Sequence, residues 1–168
     1  MKGYSVIPVS RRNVEALAPL IHSYHTEWRG DLGRLAHDVQ SAEISIAMVL
    51  LGEAPIGFVA WVRTYDLNWC FPGGEIIDLF VVRTYRGFGA AFLLLAAAAE
   101  GVREVGGSFL SGSTRNPSIA RSVQRFAIVE PDGSVYLSGR AFQHIADLSG
   151  RGVREILRGL PPQGWNYQ

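Results

Sequence analysis

The chain has one cysteine, Cys70, and one lysine, Lys2, among its 168 residues. A single cysteine excludes a disulfide within the chain, and such sparing use is typical of a reducing compartment. The longest strongly apolar run, 90–99, is about half the length that a membrane-spanning helix needs. The first five residues also lack the apolar core of a secretory signal. We therefore predict a cytoplasmic protein that has no membrane segment.

An excess of charge of either sign is also missing, because the net charge is only +1. Such a balance gives no general attraction to nucleic acid. The charges are nevertheless unevenly distributed: residues 1–82 hold six Lys/Arg against nine Asp/Glu, and residues 83–168 hold ten Arg against six Asp/Glu. This split suits an acidic side for a cationic amine and a basic side for a phosphorylated cofactor. The alternative is that this uneven distribution of charge arose by chance.

What the chain does contain is enough apolar sequence for a sizeable core, with 48% hydrophobic and 18% charged residues. We predict one globular domain over 1–168, of the α/β class with a mixed sheet. The predicted strands are 6–9, 43–51, 56–65, 75–83 and 108–113, with a terminal hairpin over 127–137. The predicted helices run from a cap at Ser10 to about 25, then within 26–41, 87–105, 117–126 and 140–160, the last broken near Gly150 and Gly152. Residues 66–74 are predicted to be a loop.

The most informative segment is 85–91, with the sequence Tyr-Arg-Gly-Phe-Gly-Ala-Ala. It follows the apolar run 76–82 and leads into the apolar run 92–99. This pattern predicts a buried strand, a turn with two glycines, and a helix whose first turn carries little side-chain bulk. The first N–H groups of such a helix have no partner within the helix and carry the positive end of its dipole, so they attract anions, phosphate above all.

Two established phosphate motifs do not fit this segment. A P-loop requires a lysine after its last glycine, and none is present here. The dinucleotide fingerprint requires a third glycine, at the position of Phe92. The segment does fit the pattern Arg/Gln-x-x-Gly-x-Gly/Ala, through Arg86, Gly89 and Ala91. The competing interpretation is a tight strand-to-helix connection in which glycine supplies only backbone freedom.

On this pattern the chain resembles the GNAT superfamily of N-acetyltransferases. Four stretches, 57–66, 78–81, 85–89 and 116–119, are similar to the diamine (polyamine) acetyltransferase branch, and the resemblance covers roughly residues 50 to 145. It implies a single-domain GNAT fold, in which helices flank a mixed, mostly antiparallel sheet with a splayed central strand. It also implies acetyl-CoA as the acyl donor.

The resemblance also implies which residues bind the cofactor. Main-chain groups of Phe80, Val81 and Val82 would hold the pantetheine arm and the thioester. The pyrophosphate would be held by the amides of the next loop, namely Arg86, Gly87, Phe88, Gly89, Ala90 and Ala91. Asn116 would open the following helix as its N-cap, a role that can coincide with a cofactor contact.

The expected catalytic groups depart from the pattern of that branch. The tyrosine that protonates the leaving thiolate is replaced by Ser122, and the glutamate that relays the amine proton is replaced by Ile77. Asp78 remains, either to bind and deprotonate a cationic acceptor or to pair with an arginine of the sheet. Ser122 could hydrogen-bond the sulfur or be an ordinary helix-face serine. Tyr136 could supply the missing phenol or be a core aromatic.

The acceptor side is predicted from the first helices. Glu27 and Trp28, together with Asp78, are the predicted substrate-binding residues, and solvated helix charges are the alternative. The four histidines and Cys70 have no spacing typical of a zinc site, so we expect no metal.

Three functions are consistent with the sequence. The first is an acetyl-CoA-dependent N-acetyltransferase, in which a primary amine of a small molecule or peptide attacks the thioester directly. The second is a GNAT-fold acyl-CoA-binding protein with little catalysis, which the missing tyrosine and glutamate motivate. The third is a nucleic-acid- or tRNA-directed acyltransferase, which the arginines of the second half motivate, although we favour nucleic acid less as a partner. A homodimer is a further partner that we consider.

Overall fold

The structure is a computed structural model and describes residues 3–162. Its sheet has seven strands in the order β1-β2-β3-β4-β5-β7-β6. The strands are β1 (Tyr4–Pro8), β2 (Ser45–Leu51), β3 (Ala54–Asp66), β4 (Phe71–Val81), β5 (Phe109–Ser113), β6 (Ile128–Val129) and β7 (Ser134–Ser138). The helices are α1 (Ala18–Tyr24), α2 (Leu32–Gln40), α3 (Ala90–Glu104), α4 (Pro117–Val123), α5 (Gly139–Asp147) and α6 (Val153–Gly159), with short 3₁₀ helices at Val14–Leu17 and Arg83–Tyr85.

The sheet is mixed and mostly antiparallel, as predicted, because only β4 and β5 run parallel. These two strands pair at Gly74 with Leu110 and at Glu75 with Ser111, and then part. On its other side β4 stays paired with β3 up to Val81. The second half of the central strand therefore has one open side, which is the splayed strand expected of the GNAT fold.

The two faces of the sheet bury separate cores. Helix α3 lies against one face and packs with α5 and α6. Its inner side is rich in alanine, so the helix can approach the sheet closely: a Cβ added at Gly101 would lie 2.7 Å from the ring of Trp61. Helices α1 and α2 cover the other face, over Phe58 and Phe80. Within residues 3–162 there is no helix of the length and apolarity that a membrane crossing requires.

The helix predicted to begin at a Ser10 cap is wrong. Asn13 Oδ1 accepts a hydrogen bond from the Ser10 amide at 2.7 Å, and Ser10 Oγ accepts one from the Arg12 amide at 3.2 Å. These contacts close a turn, and a 3₁₀ helix follows it. The regular helix α1 begins only at Ala18, with Pro19 in its first turn, where the missing proline N–H costs nothing.

The loop predicted over 66–74 is also wrong, because β3 and β4 form one long hairpin there. Asp66 pairs with Phe71, so the connection is only the turn 67–70. The Asp66 carboxylate stabilises that turn by accepting hydrogen bonds from the amides of Asn68 and Trp69, at 2.9 and 3.3 Å. Trp69 and Phe71 consequently lie exposed at the tip of the hairpin.

A β-bulge interrupts the alternation expected along β4. The register shifts opposite Ala60 and Trp61, where β4 contains one extra residue, Ile77. The sequence predicts that Ile77 and Leu79 share a face, but Ile76 is the residue that packs with Leu79 in the α3 core. Ile77 is instead 47% exposed. The bulge therefore lies directly before Asp78 in the strand.

Candidate active site

The connection from β4 to α3 has the geometry of an anion-binding loop. Gly87 and Gly89 have φ angles of 82° and 89°, a region that side chains other than glycine rarely adopt. Gly89 is the N-cap of α3, and no side chain caps this helix. Within the described part of the chain, the hydrogen bonds include no acceptor for the amides of Gly89, Ala90 and Ala91. The loop therefore presents unpaired N–H groups at the positive end of a 15-residue helix, which fits a pyrophosphate.

The side chain of Arg86 points back to the strand. Its Nε donates a hydrogen bond to the carbonyl oxygen of Val81 at 2.8 Å, and its guanidinium carbon lies 5.7 Å from the ring centre of Phe80. Arg86 therefore connects the loop to the end of β4. A role of its charge in binding an anion stays a prediction.

The open side of β4 offers main-chain groups to a ligand. The Val82 amide donates to the carbonyl of Ile56 at 2.8 Å, so this residue is engaged with the β3 side. Successive residues of a strand direct their polar groups to opposite neighbours. Val81 and Leu79 therefore face the gap toward β5, while Phe80 and Val82 face β3. The predicted pantetheine contacts of Phe80 and Val82 are thus less accessible than that of Val81.

Asp78 lies on the face of β4 that α1 covers, the same face as Phe80, and alternation along a strand predicts that these two residues share a face. Its side chain is 29% exposed, and one carboxylate oxygen lies 3.8 Å from Nε2 of His25. Burial raises the pKa of Tyr24, and the charge of the Asp78 carboxylate and a hydrogen bond to it raise that pKa further. The Tyr24 ring lies 5.3 Å from that of Phe80. No arginine pairs with Asp78 among the residues described.

The two candidate proton donors have their hydroxyl groups engaged. Ser122 is exposed on α4 and donates to the carbonyl of Ser118 in its own helix, at 2.8 Å. Tyr136 lies on β7 and donates to Oδ2 of Asp66 at 2.8 Å. Burial raises the pKa of Tyr136 to about 12, with a smaller contribution from Asp66. The structure does not bring either hydroxyl into contact with Asp78.

Asn116 is the N-cap of α4, as predicted, because its Oδ1 accepts a hydrogen bond from the Ser118 amide at 2.9 Å. It is exposed, and its predicted contact with the cofactor stays a prediction.

The two predicted acceptor residues follow α1. Glu27 is exposed, and Trp28 is half-buried with its ring edge-on to that of His22, at 5.2 Å. Tyr24 and His25 were not among the predicted site residues, although both lie on the same segment. Their approach to Asp78 joins positions more than 50 residues apart, so no local spacing signals it. No cluster that could hold a metal ion is found within residues 3–162.

Solved structures with similar folds are acetyltransferases. A ribosomal-protein-alanine N-acetyltransferase from Brucella melitensis biovar Abortus 2308 is 22% identical, with a TM-score of 0.59 over 71% of this chain and 86% of that one. An aminoglycoside acetyltransferase from an uncultured soil metagenomic sample, in complex with sisomicin, is 15% identical, with a TM-score of 0.65 over 76% and 91%. The NatC complex bound to Gag peptide and CoA is 17% identical, with a TM-score of 0.60 over 82% and 99%.

No curated protein is similar enough in sequence to count as a match. The model of the acetyltransferase (GNAT) family matches residues 14–121, which is more than half of the chain and includes both the loop and Asp78. The splayed strand and the glycine loop are both consistent with this family match. The chain therefore belongs to the GNAT family of acetyltransferases, enzymes that take their acetyl group from acetyl-CoA.

Proposed function

We propose that the protein transfers the acetyl group of acetyl-CoA to a primary amine by direct attack, with Asp78 receiving the proton of the amine. One observation carries this proposal: the open end of β4 joins the anion-binding loop to the Asp78 carboxylate. Val81 and the loop lie at the end of the strand, and Asp78 lies three residues earlier on the face toward α1. A donor held along the gap and an acceptor held under α1 would meet at this strand.

The loop would hold the pyrophosphate through its amides, and Val81 would hold the pantetheine arm by strand-like pairing. The amides of Gly89, Ala90 and Ala91 support the first assignment, since they are unpaired and at a helix start. The gap between β4 and β5 supports the second, since the Val81 amide faces it while the Val81 carbonyl accepts from Arg86. Bound acetyl-CoA supplies the activated acetyl group.

Asp78 would hold and deprotonate the incoming ammonium group. An amine must lose one proton before it can attack, and a carboxylate nearby both attracts the cation and accepts that proton, directly or through water. His25 is half-exposed at 3.8 Å from Asp78 and would pass the proton on to solvent. A second proton leaves the nitrogen after the new C–N bond forms. We assign this second proton to the departing sulfur, because the hydroxyls of Ser122 and Tyr136 are engaged elsewhere.

The acceptor side has the chemistry of a cation site. The Asp78 carboxylate and the exposed Glu27 supply negative charge, and the rings of Tyr24 and Trp28 supply surfaces that attract ammonium groups. The similar enzymes named above act on an aminoglycoside and on proteins. We propose a small polycationic amine as the acceptor class, which includes the polyamines.

A second candidate is an acyl-CoA-binding protein with little catalysis. The observation that favours it is the engagement of both candidate proton donors, Ser122 with its own helix and Tyr136 with Asp66. The exposed arginines of the second half would instead favour a nucleic acid acceptor, whose binding would weaken steeply with salt.

The deciding experiment is calorimetric titration with acetyl-CoA, followed by a free-thiol release assay on an amine panel. The panel contains spermidine, sisomicin, a lysine peptide, a peptide with N-terminal alanine, and aminoacyl-tRNA. We expect binding, with turnover on the polycationic small molecules. Binding without turnover on any amine would favour the second candidate, and turnover on peptides or tRNA alone would contradict the acceptor class. No binding would overturn the proposal.

A further inference from the structure

The C-terminal helix α6 packs directly against the anion-binding loop. A Cβ added at Gly89 would lie 2.8 Å from Cγ1 of Val153 and 3.5 Å from two side-chain carbons of Leu157. Ile156 of the same helix is fully buried in the core that α3 also forms, so the helix is held in place. The match to the GNAT family model covers residues 14–121, so α6 lies outside the matched region.

One side of α6 is strongly basic. At about 100° per residue, Arg154 and Arg158 follow one another on the flank beyond Leu157, next to the side that touches Gly89. Both arginines are exposed, and among the residues described neither has a salt bridge to an acidic side chain. The acidic residue of this helix, Glu155, is engaged at its start, where it accepts a hydrogen bond from the Gly152 amide at 3.2 Å.

CoA carries a further phosphate beyond its pyrophosphate. This 3′-phosphate of the ribose is a dianion that a cationic partner would stabilise. Arginine is well suited to that role, because its planar guanidinium makes paired charge-assisted hydrogen bonds to phosphate oxygens. Helix α6, which packs on Gly89, offers two such groups beyond the loop's own Arg86.

We propose that α6 forms a second wall of the CoA site and that Arg154 and Arg158 bind the 3′-phosphate. This inference rests on the proposed function, since it takes CoA to be the ligand of the loop. Leu157 of α6 is 44% exposed and Phe88 of the loop is 60% exposed, so each segment offers an apolar side chain to the adenine of the same ligand. Helix α6, which lies outside the residues matched by the family model, would thus select the phosphorylated nucleotide.

The test is calorimetric titration with CoA and with dephospho-CoA, which differs from it only by the 3′-phosphate. We expect the unmodified protein to bind CoA about tenfold or more tightly than dephospho-CoA. The double variant R154Q/R158Q should lose most of that difference, by weaker binding of CoA alone. The control R11Q/R12Q removes the same charge at exposed positions before α1, and it should retain the preference.

The outcomes separate this inference from the proposed function. If the unmodified protein binds both ligands equally, or if R154Q/R158Q weakens both by the same factor, α6 does not bind the 3′-phosphate although CoA is still the ligand. If the control loses the preference as the double variant does, the preference depends on the overall positive charge of the protein. The assignment to α6 is then overturned. If neither ligand binds the unmodified protein, both proposals fail. Thermal unfolding of each variant, followed by circular dichroism, checks that the fold is retained.

Discussion

The Nε atom of Arg86 donates a hydrogen bond to the carbonyl oxygen of Val81, at 2.8 Å across the turn that ends the central strand. The contact closes the connection between β4 and the 3₁₀ helix that follows it. The arginine of the motif therefore has a structural role, and its predicted role in binding an anion is additional to it. The carbonyl that it occupies belongs to the residue that faces the gap toward β5.

Arg86 variants separate the two roles. We expect Arg86→Ala to weaken CoA binding about tenfold, because the loop loses its connection to Val81. Arg86→Lys keeps the charge but loses the planar guanidinium, and we expect a loss of similar size. Calorimetric titration with CoA measures both. Full affinity in the lysine variant would mean that charge, and not the Val81 contact, is what the position supplies.

Ala91 offers the cleanest test of the anion-binding loop. It is exposed in the first turn of α3, so a longer side chain there meets no core. We expect Ala91→Glu to weaken CoA binding more than 100-fold by repulsion of the pyrophosphate, while an acid at a helix start preserves stability. Calorimetric titration and thermal unfolding measure the two effects. Ala91→Gln has the same shape without charge and should bind better than the glutamate variant; equal affinities would place the anion elsewhere.

Asp78→Asn should separate chemistry from cofactor binding. The variant keeps the size of the side chain and removes its charge, so we expect turnover to fall about 100-fold or more while CoA affinity changes less than twofold. The thiol release assay and calorimetry measure the two quantities. Glu53→Gln, a neutralised acid on the exposed β2–β3 turn, is the matched control. Unchanged turnover in the Asp78 variant would make this carboxylate a structural acid of the sheet.

His25→Gln tests the route by which the proton leaves Asp78. If the imidazole passes the proton to solvent, turnover should fall about tenfold, less than for Asp78→Asn. Added imidazole should restore it in this variant only, measured as thiol release against imidazole concentration. A loss without restoration would point to a structural contact between His25 and its surroundings.

The two loop glycines should differ in their cost when replaced. A Cβ at Gly87 meets nothing within 4 Å, so Gly87→Ala should cost only the strain of its positive φ, about 1 kcal/mol of unfolding free energy. Gly89→Ala adds a close approach to Val153, at 2.8 Å, and should cost about 1–3 kcal/mol more. Urea denaturation measures both. Val153→Ala should relieve part of the destabilisation caused by Gly89→Ala. Equal losses of unfolding free energy for the two glycine variants would mean that α6 moves away from the added methyl group at no cost.

Tyr136→Phe should reveal, through the pH dependence of stability, how strongly burial and the hydrogen bond to Asp66 favour the neutral phenol. The pKa of Tyr136 is raised from 10.0 to about 12, so the fold favours the neutral phenol. This contribution is fully present below about pH 10 and is lost as the pH rises through about 12. We expect the variant to lose about 1 kcal/mol of unfolding free energy at pH 7, given partial exposure, and the difference to narrow above pH 10.

Urea denaturation at pH 7 and at about pH 11 measures this effect. Tyr65→Phe, on the exposed part of β3, is the control and should change little at either pH. A difference that stays constant with pH would mean that neither burial nor Asp66 disfavours ionisation of the Tyr136 hydroxyl.

Features that depend on a few neighbouring residues could be predicted from the sequence. The glycine turn before α3, the Asn116 cap and the hairpin of β6 and β7 are all encoded within several residues, because caps and turns are set by local backbone geometry. The start of α1 was not, because Ser10 had two uses, a helix cap and a turn, and the local pattern does not distinguish them.

The family, the glycine loop before α3 and the acyl donor could be predicted from the sequence alone, because they depend on one short segment with a distinctive backbone. The surroundings of Asp78, the partner of the Tyr136 hydroxyl and the helix that lies on Gly89 became known only from the folded structure. These contacts join residues 53, 70 and 64 positions apart, respectively, through Asp78 with His25, Tyr136 with Asp66, and Gly89 with Val153. These contacts form when helices pack on the two faces of the sheet. Such packing depends on the whole chain, so no short segment of sequence reveals it.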